Sequence, residues 1–261
     1  MAGWDEILNE IRLKNPFDEV RRKYLANLND FTKRNTIIYY SSFLSKSGIA
    51  GLDINDNDIS GFMNAVRGLD YQVGLDLILH TPGGNPTAAE AIVLYLRSKF
   101  TDIRVIVPQI AMSAGTLIAF SAREIVMGKH SSLGPIDPQI NGIAALDIIS
   151  EYDEAMREVY SKPQTIAFWA AFLNKYPPGY IKMLINAIEL SQVLAKTWLE
   201  TGMFTSNDSA LVSSIVSSFN ENKQSKNHGR HLDVSYCQEK GLKILKLEEN
   251  QERSEERRVG K

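Results

Sequence analysis

A parallel α/β fold is what this sequence predicts, and three observations carry the expectation. Short apolar segments read LDLILH (75–80), IRVIVPQI (103–110) and EIVMG (124–128). Helix-patterned stretches separate them at the spacing that crossover connections need. None of the three alternates cleanly between polar and apolar residues, which is how strands covered on both faces of a sheet read.

The remaining elements follow in chain order. Residues 1–34 pattern as one or two amphipathic helices. Trp4, Leu8 and Ile11 share a face of the first; Val20, Tyr24, Leu25 and Leu28 share a face of the second. The β-branched and aromatic run from Thr36 to Leu44 predicts a strand. Asp58 or Ser60 can cap a helix through Leu69. After LDLILH, TPGGN is a turn, with Asn85 as N-cap and Pro86 at the first position of a helix to about Phe100. AMSAGTLIAFSA predicts a turn entering a buried helix. Beyond LGPIDPQ, helices are expected from about Ala144 to Tyr160, over 164–174, from Gly179 to Thr201, and over 205–220. NKQSKNHGRH reads as a polar loop, and VSYCQEKGLKILKL as a helix, a glycine stop and a strand. The closing EENQERSEERRVGK is almost wholly polar and is expected to be disordered. The organisation expected is a helical segment over 1–34, a main domain over 35–248 and a charged tail over 249–261.

Composition narrows the function. The 261 residues are 44% hydrophobic, enough for a sizeable core, and the net charge of -2 gives no reason to expect nucleic acid or acidic lipid. Cys237 is the only cysteine, which excludes an internal disulfide and a thiolate cluster, and it is expected only to pack. No apolar signal region opens the chain, and no run approaches the ~20 apolar residues of a membrane span. A soluble, cytoplasmic protein is the expectation. No metal or cofactor is implied, and no GxGxxG follows a strand, so no dehydrogenase is expected.

The chemistry concentrates at two turns. Ser113 follows the end of a buried-type strand and precedes a helix, so it faces the crevice at the carboxyl ends of parallel strands. Small neighbours Ala111, Ala114 and Gly115 allow close approach to the backbone. A helix N-cap is the simpler role for such a serine. Gly83-Gly84 ends the preceding strand and belongs in the same crevice. A glycine amide there, with the amide of Ala114, would make a two-donor oxyanion hole for acyl transfer.

HTPGGNPTAAEAIVLYL, followed by AMSAGTLIAFSAREIVMGKHSSLGPIDPQ, resembles the serine dehydrogenase proteinase family, a branch of the Clp-protease/crotonase superfamily near signal peptide peptidase A. The resemblance covers residues 70–140 closely and the rest loosely. It implies a spiral of ββα units, self-association into rings or stacked layers, and serine-dependent hydrolysis of peptides or proteins, with membrane proteins as one possible class of substrate.

The general base stays open at this level. Clp proteases carry a histidine where this chain reads PIDPQ, so Asp137 occupies that place. KNHGRH lies where that family's acidic member falls, so His228 could face Asp137 with acid and base exchanged. Signal peptide peptidases use a lysine farther along; Lys162 stands near that distance, and Lys196 is the other lysine considered. The third option is that the protomer holds no competent base. His130 reads as structural or surface, and His80 as a hydrogen-bonded strand end. Phe168, Trp169, Phe172 and Trp198 fit subunit contacts or core equally well. The reading is a homo-oligomeric serine endopeptidase. Its rivals are a catalytically weak oligomeric peptide-binding scaffold and a crotonase-like acyl-CoA enzyme, which would keep the two-amide hole but need a carboxylate base.

Overall fold

The structure is a computed structural model that describes residues 17–46, 48–204, 206–220 and 228–249. The expected helix bearing Trp4, Leu8 and Ile11, the greater part of the polar loop and the tail beyond 249 lie outside these residues.

In chain order the elements are α1 (Phe17–Thr32), β1 (Asn35–Tyr40), α2 (Asp58–Val66), β2 (Leu75–His80), α3 (Pro86–Arg97), β3 (Ile103–Val107), β4 (Ile110–Ala111) and α4 (Ala114–Phe120). There follow β5 (Glu124–Met127), β6 (Ser132–Leu133), β7 (Gln139–Ile140), β8 (Ile143–Ala144), α5 (Ala145–Ser161), α6 (Ile166–Leu173) and α7 (Tyr180–Thr201). The chain closes through α8 (Ser209–Asn220), β9 (Leu232–Asp233), α9 (Val234–Glu239) and β10 (Ile244–Lys246).

Five strands form one sheet in the order β1-β2-β3-β5-β10, with every pairing parallel. Its central strands are buried along their length because both faces are covered. Leu77, Leu79, Val105, Val107, Ile125 and Met127 join the large core with α3 and α4. On the other face Ile78, Ile106 and Val126 pack with Leu28 of α1. Each such side chain taken from water contributes about 1.5–3 kcal/mol, which explains why these strands read as unbroken apolar runs.

A second, three-stranded sheet, β4-β6-β9, flanks the first. Here the structure departs from the expectation of one strand over 103–110. Pro108 has no N–H to give a ladder, so the chain leaves the large sheet after Val107, and Ile110–Ala111 pairs with β6 instead. The departure makes the repeat visible. β3–β4–α4 is one ββα unit, and β2, the Thr81–Ala111 bridge and α3 form another. The strand expected over 36–44 closes at Tyr40, with Ser41 N–H adding one more bond to His80 O. A hairpin, β7–β8, stands where only a helix start was expected. Asn141 and Gly142 take φ values of 52° and 79°, the left-handed pair that an Asn-Gly turn favours.

The helices after β8 fall close to their expected bounds. Ala145, Ile148, Leu184 and Ile188 tie α5 to α7 in a satellite core. Trp198 is buried in the main core, whereas no residue of α6 is buried, and Phe168 and Phe172 are exposed. Cys237 packs in the core, and burial pushes its thiol pKa up. Among the described residues, no helix is long and apolar enough to cross a membrane.

The large sheet also holds buried charge. Asp76, fully buried in β2, lies opposite Arg104 of β3. Arg104 grips it through two hydrogen bonds, Nε to Oδ1 at 3.0 Å and Nη2 to Oδ2 at 2.6 Å. Arg34 adds a third at 2.6 Å and reaches Asp102 with Nη1, also at 2.6 Å. The Arg34 guanidinium holds the Asp102 carboxyl below the usual carboxylate range. Asp76→Ala removes a carboxylate shared by two partly or fully buried guanidiniums. It should destabilise the protein by about 3–5 kcal/mol, read as a lower midpoint in urea unfolding.

Candidate active site

Two turns meet at the carboxyl end of the large sheet. The first runs from Thr81 to Asn85, between β2 and α3. Gly83 and Gly84 adopt φ values of 98° and 146°, which residues with a Cβ rarely take. Thr81 Oγ1 accepts the Gly83 N–H at 3.1 Å and fixes the bend. Gly83 O accepts from Ile54 N–H at 2.7 Å, and Ile54 O accepts from Asn85 N–H at 2.8 Å. The Ile54 backbone thus lies flat against Gly84, where a Cβ would collide with it. Asn85 caps α3 as expected, its side chain accepting from Thr87 N–H.

The second turn is Met112–Ala114. Ser113 holds φ 51° and ψ -117°, outside the regions open to ordinary residues. Such a residue costs of order 1–3 kcal/mol and persists only where its surroundings over-determine it. The surroundings here are α4, all seven of whose residues are buried, and β4 on the other side. The serine makes no side-chain cap for α4, so the N-cap role does not account for it. Its side chain is half-buried.

The turns touch. A Cβ built on Gly83 would lie 2.7 Å from Ser113 Cβ and 2.6 Å from Met112 O, so only glycine admits this approach. The Gly83 N–H is taken by Thr81. Among the described residues no acceptor takes the N–H of Gly84 or of Ala114. Two unpaired backbone donors, at Gly84 and Ala114, therefore belong to the two touching turns, and Gly83 serves as the bend rather than as a donor.

Asp137 and His228 are brought together across 91 residues, with Nδ1 at 2.9 Å from Oδ1. Asp137 is buried and His228 half-buried. Gln139 Nε2 donates to the other carboxylate oxygen at 2.7 Å, a contact the sequence reading did not anticipate. In the neutral tautomer whose Nδ1–H faces the carboxylate, the other ring nitrogen, Nε2, is an acceptor. The loop carrying Asp137 is tied to the serine turn. Thr116 Oγ1 donates towards Ala111 O and Gly134 O and accepts the Gly134 N–H, and Gly134 lies against Met112.

The lysines have other company. Lys162 is exposed and faces Glu158 at 3.7 Å, and Lys196 faces Glu200 at 4.0 Å, each an acid on its own helix. Among the described residues no hydrogen bond joins the Ser113 hydroxyl to His228, Lys162 or Lys196. His130 is exposed. Among the described residues no group of three His, Cys, Asp or Glu side chains is placed to hold a metal ion.

Comparison with known proteins adds to this geometry. The sequence model of a family described as ClpP-like SDH-type serine proteinase matches residues 20–167. Two uncharacterized proteins of Methanocaldococcus jannaschii are similar in sequence. MJ1495 is 41% identical over 99 residues, 38% of this chain and 34% of that protein. MJ0137 is 36% identical over 139 residues, 51% of this chain and 48% of that protein. The matches thus span about one third to one half of these relatives' length. The ClpP protease catalytic domain from Plasmodium falciparum superposes with a TM-score of 0.47 at 12% identity, covering 89% of this chain and 92% of that one.

His80, at the end of β2, is buried and stacks on Tyr40 at 4.6 Å, with Nδ1 3.1 Å from Ser41 O. Burial pushes its pKa below 6.5, so the unfolded chain binds the proton more readily than the folded one. Its stabilising effect is complete above the unfolded value and is lost as pH falls towards the folded value. Urea midpoints at pH 7.5 and pH 5.5 should fall further for the wild type than for His80→Phe.

Proposed function

Because this chain belongs to the ClpP-like SDH-type serine proteinases, we propose that it hydrolyses peptide bonds with Ser113 as the nucleophile. The observation that carries the reading is the backbone of Ser113. A serine is held at φ 51° and ψ -117° on a strand–turn–helix junction, and its side chain makes no capping bond. Gly84 and Ala114 supply the unpaired amides.

In the mechanism, Ser113 Oγ attacks the scissile carbonyl carbon. Negative charge gathers on the carbonyl oxygen, where the N–H groups of Gly84 and Ala114 stabilise it. His228 Nε2 takes the serine proton, and Asp137 holds the ring in the tautomer that leaves Nε2 free and stabilises the imidazolium. The proton then passes to the leaving amine, and water repeats the sequence to release the acyl group. On this reading the hydrogen bond between Ser113 and His228 forms with substrate bound, since catalytic hydrogen bonds are often long or poorly aligned in free enzymes. The scaffold alternative drew its support from the missing histidine after the serine; on this reading His228, held by Asp137, takes that part. An extended peptide would lie along the TPGGN edge by strand addition. Self-association is part of the same reading, supported by Phe168 and Phe172 of α6, which stay exposed among the described residues.

Hydrolysis of a fluorogenic peptide tests the assignment. Ser113→Ala and His228→Ala should each lower kcat by about 10⁴–10⁶, and Asp137→Asn by about 10⁴, with far-UV circular dichroism unchanged. Wild-type rates in Ser113→Ala would refute it; wild-type rates in Lys162→Ala are expected.

A further inference from the structure

The three residues of the proposed triad all leave one small sheet. Ser113 stands two residues after β4, and Asp137 four residues after β6. His228 stands four residues before β9. β6 and β9 pair antiparallel, with Ser132 opposite Asp233 and Leu133 opposite Leu232. Carried four residues on from Leu133 and four back from Leu232, that register sets Asp137 opposite His228, where the 2.9 Å hydrogen bond is found. A slip of one residue would turn the side chains to opposite faces and part the pair.

Two paired residues are too few to hold a register by themselves. A side-chain bond crosses the same ladder: Ser132 Oγ lies 2.7 Å from His231 Nδ1. Ser132 is buried and its N–H donates to Gln109 O at 2.8 Å, which ties β6 to the segment that leads into β4 and Ser113. His231, by contrast, is an exposed residue that still reaches inward to this hydroxyl. The bond spans the two arms that carry the acid and the base.

We infer that Ser132 and His231 are positioning residues: their hydrogen bond locks the β6–β9 register and thereby sets His228 against Asp137. The inference rests on the reading of His228 and Asp137 as base and orienting acid. Neither Ser132 nor His231 touches substrate in this account; they act through His228.

Ser132→Ala and His231→Ala test it, with Ser132→Thr as the conservative variant. Each alanine variant should lower kcat by about 10–100-fold with KM within about twofold, since a displacement near 1 Å costs rate at this scale. Ser132→Thr should recover most of the loss. A second readout needs no activity. In the Ser113→Ala background, ring ¹⁵N spectra should show His228 with its Nδ1–H held by a carboxylate, and both alanine variants should lose that signature. Either folded alanine variant with the wild-type kcat and an unchanged His228 signature overturns the inference. Should Ser132→Ala fail to fold, His231→Ala at its exposed position decides alone. If wild-type hydrolysis does not depend on Ser113 but the His228 signature still collapses in the variants, the proposed chemistry fails and the positioning role stands.

Discussion

The contact between Gly83 and Ser113 is the constraint from which the rest of the site follows. No side chain fits at Gly83, because its absent Cβ would fall on Ser113 Cβ and Met112 O. With the two turns at that distance, the unpaired amides of Gly84 and Ala114 belong to adjoining stretches of backbone. The arrangement is possible because Thr81, just after β2, bridges in parallel to Ala111 of β4, so the turns that follow them emerge side by side. Backbone donors so fixed would need no reorganisation when charge develops in the proposed reaction, the physical advantage of an oxyanion site made from turns.

The molecule divides its work along the strand axis. Towards the amino ends of β2 and β3, Asp76, Arg104, Arg34 and Asp102 form a hydrogen-bonded ionic cluster that fixes the strand pairing. At the carboxyl ends the backbone is strained at Ser113, and the glycines take conformations closed to other residues. The strain is sustained by the buried α4 and by the parallel pairing of β4 with β6. The proposed chemistry would therefore stand where the chain is least relaxed, with stability supplied elsewhere.

Much of this could be read in the sequence. LDLILH, IRVIVPQI and EIVMG announced a sheet covered on both faces. TPGGN and AMSAG announced two turns at one end of it. Three things were harder. Pro108 divides a run that looks continuous, because hydropathy cannot distinguish one long strand from two that enter different sheets. β4, β6 and β9 are two residues each, too short to show any period. Asn141-Gly142 carries a hairpin signal, but it is two residues long and the helical pattern that follows dominates it. Asp137 and His228 could be brought together only by matching the chain to a family. Gln139, Ser132 and His231 gave no signal, since hydrogen bonds between distant polar residues leave no pattern in a single sequence.

A crystal structure of the protein after reaction with a fluorophosphonate tests whether Ser113 is the nucleophile beside two amide donors. The phosphonyl group should be bonded to Ser113 Oγ alone. Its free oxygen should lie about 2.7–3.1 Å from the amide nitrogens of both Gly84 and Ala114. A phosphonyl group on another side chain, or one on Ser113 whose oxygen points away from both amides, would contradict it.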